Sequence, residues 1–528
     1  MNALCVLYGG SLTPAALEPL FEGKTALGRC LERAAAFPGV SELVLLVREG
    51  AELPVTTLPV NVRFQAAPVW TQKRLLETLS ELSPGFDLSY YAWADCPLLD
   101  PELAGALAER HIRYAAEYSY ADGWPYGFAP ELLAPGTAGI LAKILGEDGP
   151  VERDSLFAVL QKDINSFDIE TEISPQDLRS LRLSLAADSR RNLSLLRRLM
   201  EAGLSRAADA GVILAGKGEL LRVAPAFYAI QVAAPCSQDC VCCPYPRLRP
   251  QGKTAGSFMP VSQFKTLLDR IRDFSGEAVI DISLWGEVSL HPEKLELINA
   301  VLERPELSLI IETSGRGWKS SELEALAAGL PQSVSPRPWL APPSALSWIV
   351  SLDSLDPKRY GELRGPGFEE ALETARTLLR LFPGNAYVQA LRLTGSEDDT
   401  EHFYRTWQAM AASLAGPGRP AASIIIQKYD DFCGFLEKKQ AADLSPVKRH
   451  PCWHLNRDMN ILLDGRVPQC REDLALLKDP GNAGLGNVFR EPLETIWDRG
   501  AAAYRSHCAG NYAGELCEVC DEYYTFNF

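Results

Sequence analysis

Apolar runs alternate with amphipathic stretches over residues 1–215, and this alternation predicts an α/β domain. The strand candidates are ALCVLYGG, ELVLLV and YYAWADC, and the helix candidates are LGRCLERAAAF and PELAGALAERHI. Because the strands lead into short turns that contain Gly or Asp, we expect a mostly parallel, doubly wound sheet.

A second series of strand and helix patterns occupies residues 216–428. Its helices are amphipathic: in VSQFKTLLDRIRDF, Phe264, Leu267, Leu268 and Ile271 share one face. Repeated βα units of this kind predict a curved parallel sheet or partial (β/α)6 barrel, with chemistry at the carboxyl ends of the strands. The proline-rich segment 331–347 is expected to be an inserted loop. The strand candidates are FYAIQVA, AVIDISL, LSLIIET, LSWIVSL, AYVQALRL and ASIIIQK.

Residues 429–528 show little regular patterning, and we expect them to form a small third domain. The exceptions are the helical piece PLETIWDR and a hairpin predicted around the Asp-Gly turn of MNILLDGRVPQC. This segment contains six of the chain's thirteen cysteines. We therefore expect it to rely on something besides a hydrophobic core.

Length and composition are typical of a multidomain globular protein. The 528 residues exceed what one hydrophobic core holds, and 47% hydrophobic with 23% charged residues is ordinary for folded domains. The formal net charge of −16 opposes attraction to nucleic acid or to an anionic membrane. The chain shows no secretory signal pattern and no membrane-length apolar run, so we expect a cytoplasmic location.

In that compartment, grouped cysteines are expected to be metal ligands or redox groups rather than disulfides. The segment PCSQDCVCCPYP contains Cys236, Cys240 and Cys243 in a C-x3-C-x2-C pattern, with Cys242 as an extra thiol. Three thiolates from one loop can hold three corners of a cubane iron–sulfur cluster and leave the fourth iron open to a ligand. The alternative is a zinc knuckle or a chance grouping of buried thiols.

The C-x3-C-x2-C loop after a strand resembles the signature of the radical S-adenosylmethionine (SAM) enzymes. That resemblance implies a [4Fe–4S] cluster whose open iron binds SAM, and an electron donor such as flavodoxin or ferredoxin. It also implies reductive cleavage of SAM to a 5′-deoxyadenosyl radical, which removes a hydrogen from the substrate.

Three later segments resemble further strand ends of the same family: LWGEVSLHPE, IETSG and VSLDSLDPKRYGELRG. By this resemblance, Trp285-Gly286-Glu287 would contact the SAM ammonium group, and Arg364 would bind a carboxylate. A serine or aspartate after a strand also serves as a turn or helix cap, so each motif is weak by itself. The SAM contacts predicted in this way are Trp285, Gly286, Glu287, Ser351, Asp353 and Arg364.

The C-terminal cysteines resemble the auxiliary-cluster extension called SPASM, in its shortened twitch form. Cys452, Gly465 and Cys470 follow the pattern Cys-x12-Gly-x4-Cys, and a final C-x2-C pair comes later. The resemblance implies one auxiliary [4Fe–4S] cluster, with zinc on the same thiols as the alternative. Cys433 and Cys508 are expected to be bystanders. The predicted auxiliary ligands are Cys452, Cys470, Cys517 and Cys520.

The first domain resembles the cytidylyltransferase-like branch of the GT-A nucleotidyltransferases in ADCPLLDPELAGALAERH and YADGWPYGFAPELL. Asp95 would then help to hold Mg²⁺ near a nucleotide. Between Gly9 and Gly23, however, no Lys or Arg is present to neutralise a triphosphate. We therefore expect a degenerate domain that binds a sugar-like or nucleotide-like ligand, with an active transferase as the alternative.

Together the three segments, 1–215, 216–428 and 429–528, resemble the spirochete-type SPASM proteins. This layout implies a radical SAM oxidoreductase or maturase that modifies a peptide or a sugar- or nucleotide-linked small molecule. The expected partners are that substrate and the electron donor, without nucleic acid or membrane. The alternatives are an active cytidylyltransferase fused to the radical module and a non-catalytic metal-binding scaffold.

Overall fold

The computed structural model divides the chain into two compact units, residues 1–221 and 222–528. The first predicted domain boundary, after residue 215, lies close to this division, and the boundary after residue 428 stays a prediction. Most of the predicted loop 331–347 lies outside the described residues. The structure describes residues 1–51, 53, 62–250, 256–330, 345–416, 424–514 and 516–525.

The first unit contains a mostly parallel sheet in the strand order β5-β4-β1-β6-β8-β7-β9, as the sequence predicted. Strand β8 runs antiparallel to both of its neighbours, and β2 and β3 form a separate two-stranded ribbon. All seven residues of β1 are buried at the centre of this sheet. The strands are β1 (Ala3–Gly9), β2 (Pro19–Phe21), β3 (Lys24–Thr25), β4 (Val40–Arg48), β5 (Val62–Ala67), β6 (Leu88–Trp93), β7 (Tyr118–Asp122), β8 (Glu131–Leu133) and β9 (Ile169–Ile173).

Helices of the first unit begin at local signals in the sequence. The Thr25 hydroxyl caps the first helix by accepting from Gly28 N, and the Asp100 carboxylate caps the third by accepting from Glu102 N. The helices are α1 (Ala26–Ala35), α2 (Gln72–Leu82), α3 (Pro101–Arg113), α4 (Thr137–Ile144), α5 (Ser155–Leu160), α6 (Arg190–Glu201) and α7 (Ala207–Gly216). Short 3₁₀ turns cover Pro14–Leu17, Gln161–Ser166, Arg179–Leu181 and Gly218–Leu221.

The second unit is built on a parallel sheet in the order β15-β14-β13-β12-β11-β10-β16. Its first six strands in sequence confirm the six predicted ones. The strands are β10 (Phe227–Ile230), β11 (Ala278–Asp281), β12 (Leu307–Thr313), β13 (Leu346–Ser351), β14 (Ala386–Arg392), β15 (Ile424–Lys428) and β16 (Asp458–Ile461).

Strand β16 corrects the predicted hairpin. The Asp-Gly turn does form, with Gly465 N donating to Leu462 O at 2.8 Å and Leu462 N to Arg466 O at 2.9 Å. The strand before it, however, pairs in parallel with β10 and extends the barrel sheet. A turn motif in the sequence does not indicate which distant strand has a free edge for pairing.

Helices of the second unit cover the outer face of this sheet. Phe264, Leu267, Leu268 and Ile271 of α9 are all buried, as their spacing predicted. The helices are α8 (Tyr245–Leu248), α9 (Val261–Ser275), α10 (Lys294–Leu302), α11 (Ser320–Gly329), α12 (Pro357–Arg364), α13 (Phe368–Leu381), α14 (Glu397–Ala415), α15 (Trp453–Arg457), α16 (Ala475–Lys478), α17 (Leu493–Arg499) and α18 (Ala501–Cys508). A 3₁₀ turn covers Val288–Leu290.

Each strand of the second sheet has an outer and an inner face. Tyr228 and Ile230 of β10 pack in the core under the helices, whereas Phe227 and Ala229 belong to a separate inner cluster. Because all of these strands are parallel, their carboxyl ends meet at one edge, where the loops considered below lie. Within the described ranges, the structure contains no helix with the length and apolarity needed to span a membrane.

Candidate metal centres

The cysteine loop that follows β10 is fixed on two sides by backbone hydrogen bonds. Val241 N donates to Leu363 O of α12 at 2.9 Å. On the other side, Pro235 O accepts from Glu287 N, which follows β11, at 2.9 Å. The loop is therefore held between the C-terminal end of α12 and the segment that follows β11.

The three motif thiols, Cys236, Cys240 and Cys243, lie close enough to interact electrostatically, and all are partly exposed. The pKa of Cys240 is lowered to about 7, first by a hydrogen bond with Cys242 and then by the charge of Arg364. Burial raises the pKa of Cys236 to about 11 and that of Cys243 to about 12. Cys242 packs instead in a small apolar cluster. The extra thiol thus bonds one motif cysteine while its side chain packs against apolar neighbours.

Gly286 allows the end of β11 to lie against the cysteine loop. Its φ is +83°, and a Cβ at this position would lie 2.0 Å from Ala233 O. No side chain fits that gap, so this close backbone approach requires glycine. The close approach of the cysteine loop to the end of β11 thereby depends on this one residue.

The Glu287 carboxylate is buried and binds the next strand end. It accepts hydrogen bonds from Thr313 Oγ1 at 2.8 Å, from Ser314 N at 2.9 Å and from Ser314 Oγ at 2.6 Å. A further bond comes from Ser289 N at 3.3 Å. The side chain predicted to contact SAM therefore also holds the ends of β11 and β12 together.

A buried ion pair lies next to the motif cysteines. Arg364 Nε donates to Asp353 Oδ2 at 2.6 Å, and Arg364 Nη1 lies 3.8 Å from Cys240 Sγ. Asp353 Oδ1 also accepts from Leu391 N at 2.9 Å, while Ser351 Oγ accepts from Gln389 at 3.2 Å. The structure brings these three predicted residues together at the same sheet edge as the cysteines.

Trp285 lies in the inner cluster of the barrel. Its ring stacks on Tyr245 at 6.1 Å between centroids and lies 5.8 Å from Phe432. The Arg471 guanidinium lies over both Trp285 and Phe432, at 5.9 and 5.5 Å from the ring centroids. Trp285 thus forms part of an aromatic wall, a role that the family motif did not suggest.

The tail brings the four predicted auxiliary ligands together. Cys452 interacts electrostatically with Cys517 and Cys520, and Cys470 with Cys452 and Cys520. Aromatic side chains, including Tyr504 and Tyr523, pack around Cys452. Cys433 forms a hydrogen bond with Cys520, and Cys508 with Tyr504. Cys433 and Cys508 therefore border this site.

Thiol spacing distinguishes a cluster from a single zinc ion. With zinc–sulfur bonds of about 2.3 Å, tetrahedral ligands lie about 3.8 Å apart. Among the described residues, one group of three possible metal ligands has its ligand atoms within 4.8 Å of one another, namely Asp430, Asp521 and Glu522. No three cysteines of the described residues meet this criterion. Two of these acidic residues, Asp521 and Glu522, are already paired with Lys428. In the part of the chain that the structure describes, neither cysteine group is therefore arranged as three ligands of one tetrahedral zinc ion.

His454, which lies between Cys452 and Cys470 in the sequence, has a structural role. Its Nδ1 lies 2.6 Å from Asp458 Oδ2, and its Nε2 lies 3.1 Å from Glu522 O. These contacts use both ring nitrogens to hold the loop.

Sequence reasoning missed a charged group on the inner face of the barrel. Asp281 and Glu312, at the carboxyl ends of β11 and β12, both interact with Arg471. Burial and then the Glu312 charge raise the pKa of Asp281 to about 7. The sequence did contain a signal for this group: one acidic residue in each of the strands AVID and LSLIIET, which are otherwise uncharged. These side chains form a buried charged cluster beside the aromatic wall.

In the first unit, Asp95 is paired with an internal cation. Arg153 Nη2 donates to Asp95 Oδ2 at 2.7 Å and Nη1 to Asp95 Oδ1 at 3.1 Å. Arg153 also bonds Asp188 at 3.0 Å. The carboxylate that was predicted to hold Mg²⁺ is thus paired with Arg153 in this structure, and the degenerate domain stays a prediction.

Comparisons with known proteins give one family match and several similar solved structures. Residues 452–521 match the SPASM family, described as an iron–sulfur cluster-binding domain. Similar solved structures include Streptococcus suis SuiB bound to the precursor peptide SuiA, at 14% identity over 65% of this chain and 76% of that chain, with a TM-score of 0.40. A cytidylyltransferase from Leptospira borgpetersenii shares 17% identity over 42% of this chain and 95% of that chain, with a TM-score of 0.34.

The C-x3-C-x2-C loop at the carboxyl edge of a parallel βα sheet, followed by a SPASM domain, defines a radical SAM protein with a C-terminal auxiliary-cluster domain. Its cofactors are [4Fe–4S] clusters and SAM. The chain belongs to the family of an uncharacterized protein from Treponema pallidum, with which it shares 35% identity over 382 residues, 71% of this chain and 98% of that protein.

Proposed function

We propose that this protein is a radical SAM oxidoreductase or maturase. The observation that carries this function is the convergence of the cysteine loop, Gly286 and the Asp353–Arg364 pair at one sheet edge. With the cluster and SAM bound, reductive cleavage of SAM supplies a 5′-deoxyadenosyl radical that removes a hydrogen from the substrate.

Individual residues have distinct roles in this proposal. Cys236, Cys240 and Cys243 hold three corners of the SAM-binding cluster. Backbone groups at Trp285 and Gly286 border the SAM ammonium group. Four hydrogen bonds fix the Glu287 carboxylate and, with it, the neighbouring strand end.

The buried Asp353–Arg364 pair keeps a guanidinium beside the cysteine loop. Its Nη groups offer donors to the SAM carboxylate, while Asp353 fixes the orientation of Nε. Ser351, on the strand that precedes Asp353, completes the predicted SAM contacts.

Cys452, Cys470, Cys517 and Cys520 hold the auxiliary cluster, which accepts an electron or anchors the substrate. We place this tail in a domain of its own, residues 429–528, after a barrel that ends at residue 428. The electron donor is a flavodoxin or ferredoxin, and the cytoplasm is the expected compartment.

The buried charged cluster of Asp281, Glu312 and Arg471, with Trp285 in the aromatic wall beside it, is the proposed substrate site. Its mixture of opposite charges and aromatic surface fits a polar substrate, either a peptide or a sugar- or nucleotide-linked molecule. Transferase chemistry in the first unit is disfavoured because Arg153 already pairs with Asp95.

The test is formation of 5′-deoxyadenosine from SAM after anaerobic reconstitution and reduction with dithionite. The Cys236/Cys240/Cys243→Ala triple variant is expected to lose this product, because all three proposed cluster ligands of the loop are removed. Cys242→Ala is the matched control and is expected to keep it, since Cys242 lies outside the C-x3-C-x2-C pattern. Equal product from the triple variant and the parent contradicts the proposed ligands.

Iron content tests the auxiliary site separately. The reconstituted parent is expected to hold about eight irons per chain, as two [4Fe–4S] clusters require. Cys452→Ser is expected to lower this to about four, and Cys508→Ser to leave it near the parent value. Bound zinc without acid-labile sulfide in the parent supports the metal scaffold alternative instead.

A further inference from the structure

Cys433 is a fifth thiol at the auxiliary site, and it comes from a different part of the chain. It lies in the turn after β15, whereas the four proposed ligands all lie within the SPASM match at residues 452–521. The Cys433 thiol forms a hydrogen bond with Cys520 and interacts electrostatically with Cys470. All three of these cysteines are partly exposed. Two of the four proposed ligands therefore have this extra thiol as a neighbour.

Polar contacts hold the chain around this turn against the segment that contains Cys520. Lys428, the last residue of β15, forms an ion pair with Asp521 Oδ2 at 2.9 Å. Gln440, beyond the turn, donates to the same oxygen at 3.0 Å. The contact between Cys433 and Cys520 is thus supported from both ends of the turn.

The backbone of the turn directs two adjacent side chains to different sites. Phe432 and Cys433 have φ values of +52° and +55°, in the left-handed region that residues other than glycine rarely adopt. Phe432 packs against Trp285 inside the barrel, whereas Cys433 reaches Cys520. Strained backbone of this kind persists where the surrounding structure requires it, and it is frequent at functional sites.

A buried carboxylate lies beside the same thiols. Glu472 is 7% exposed and interacts electrostatically with Cys433, Cys470 and Cys520. Its Oε2 has no hydrogen-bond partner among the described residues. Because buried polar atoms are normally paired, this oxygen indicates that a bound group completes the site on the side of Cys433.

The contact between the two thiols determines how far a sulfur must move to exchange with the other. Two sulfurs in hydrogen-bond contact are about as far apart as two thiolates on one tetrahedral metal, which lie about 3.8 Å apart when the metal–sulfur bonds are about 2.3 Å. A metal bonded to Cys520 is therefore within reach of Cys433 after a side-chain rotation. Since the thiolate is the metal ligand, a bound Cys520 accepts the hydrogen bond and the Cys433 thiol donates it.

We propose that Cys433 is an alternative ligand of the auxiliary cluster and replaces Cys520 at one iron corner. This inference rests on the auxiliary cluster of the proposed function. In the exchange, the Cys433 sulfur bonds to iron as the Cys520 sulfur leaves it, and the thiol proton passes from Cys433 to Cys520 along their hydrogen bond. Charge and electron count stay the same, so no oxidant or reductant takes part. The site keeps four thiolate ligands with either cysteine.

The test is the content of iron and acid-labile sulfide in the full chain after anaerobic reconstitution of alanine variants, because alanine has no side-chain atom that binds iron. Cys520→Ala is expected to hold about eight irons per chain, since Cys433 takes its corner. Cys433→Ala is also expected to hold about eight. The Cys433/Cys520→Ala double variant is expected to fall to about four, which belong to the SAM-binding cluster.

The Cys508/Cys520→Ala double variant is the matched control. Cys508 also borders the site, but it bonds the Tyr504 hydroxyl rather than a proposed ligand, so this variant should keep the iron content of Cys520→Ala.

Two results overturn the proposal and leave the auxiliary cluster in place. One is about four irons in Cys520→Ala when the parent holds about eight, and the other is about eight irons in the Cys433/Cys520→Ala double variant. A parent with only about four irons contradicts the auxiliary cluster itself and the proposal with it.

Discussion

Residues at the carboxyl edge of the second sheet determine the local geometry of the SAM site. Gly286 and Glu287 are adjacent in the sequence but contribute in different ways. Gly286 has a positive φ and allows close backbone approach because it has no side chain. The buried Glu287 carboxylate accepts four hydrogen bonds. Neither role is visible from amino-acid type alone.

Gly286→Ala is expected to disrupt the SAM site. The new Cβ would overlap Ala233 O, and a left-handed backbone in a non-glycine residue costs about 1–3 kcal/mol. Because the cysteine loop must shift, we expect reduced iron content and at least a tenfold loss of 5′-deoxyadenosine formation.

Gly329→Ala is the matched control for that substitution. A Cβ at Gly329, the last residue of α11, would contact nothing within 4 Å. Its iron content and product formation should equal those of the parent. Parent-like values for Gly286→Ala as well would show that the close approach to Ala233 is not needed.

The pH dependence of stability reflects the buried acid Asp281. Burial and the nearby Glu312 raise its pKa from 3.8 to about 7, while Ser283 and Arg471 oppose this shift. The folded state therefore holds a proton that the unfolded state has lost, and folding stability decreases as pH rises from about 4 through about 7.

Asp281→Asn should remove this contribution. Urea unfolding at pH 5 and pH 8 is expected to show a smaller decrease for the variant than for the parent, by on the order of a few kcal/mol. Asp273→Asn, at an exposed position of α9, should follow the parent. An unchanged pH dependence in Asp281→Asn would mean that this carboxyl is already ionised at low pH.

At the scale of elements, helix α9 joins the barrel to the C-terminal segment. Arg270 on this helix donates through its two Nη groups to the carbonyl oxygens of Val488 and Glu491. Strand β16 makes a second connection by pairing with β10. The C-terminal segment is therefore attached to the barrel by contacts that do not involve its cysteines.

Arg270→Ala should destabilise the second unit by about 2–4 kcal/mol, because two charge-assisted hydrogen bonds are lost and two carbonyls are left without this donor. Arg272→Ala on the same helix removes only pairs with the partly exposed Asp269 and Asp273, and should change the free energy of unfolding by less than about 1 kcal/mol. Denaturant unfolding of both variants measures the difference. Equal losses would show that Arg270 does not join the tail to the barrel.

At the scale of the whole molecule, the chain separates into two compact units, and the predicted cluster ligands and SAM contacts all lie in the second. Each unit has its own hydrophobic core.

A chain that begins at Arg222 is therefore expected to keep the iron content and SAM cleavage of the full protein. The measurement is iron and 5′-deoxyadenosine per chain after reconstitution, compared with the full chain. A truncated chain that folds and binds iron but does not cleave SAM would show that the first unit takes part in the reaction.

Local patterns in the sequence determined most of the fold. Period-two and helical hydrophobic spacing gave the six barrel strands and the buried face of α9, because these periods follow from backbone geometry alone. Thiol spacing indicated the cluster loops for a similar reason, since one short loop can supply several ligands.

Only the tertiary structure decided which distant side chains meet. It placed Arg471 beside Asp281 and Glu312, Arg153 against Asp95, and β16 in the barrel sheet. Such contacts depend on strand order and register, and a shift by one residue would turn each side chain to the opposite face of its sheet. The sequence names the residues, but only the packed chain brings them within bonding distance.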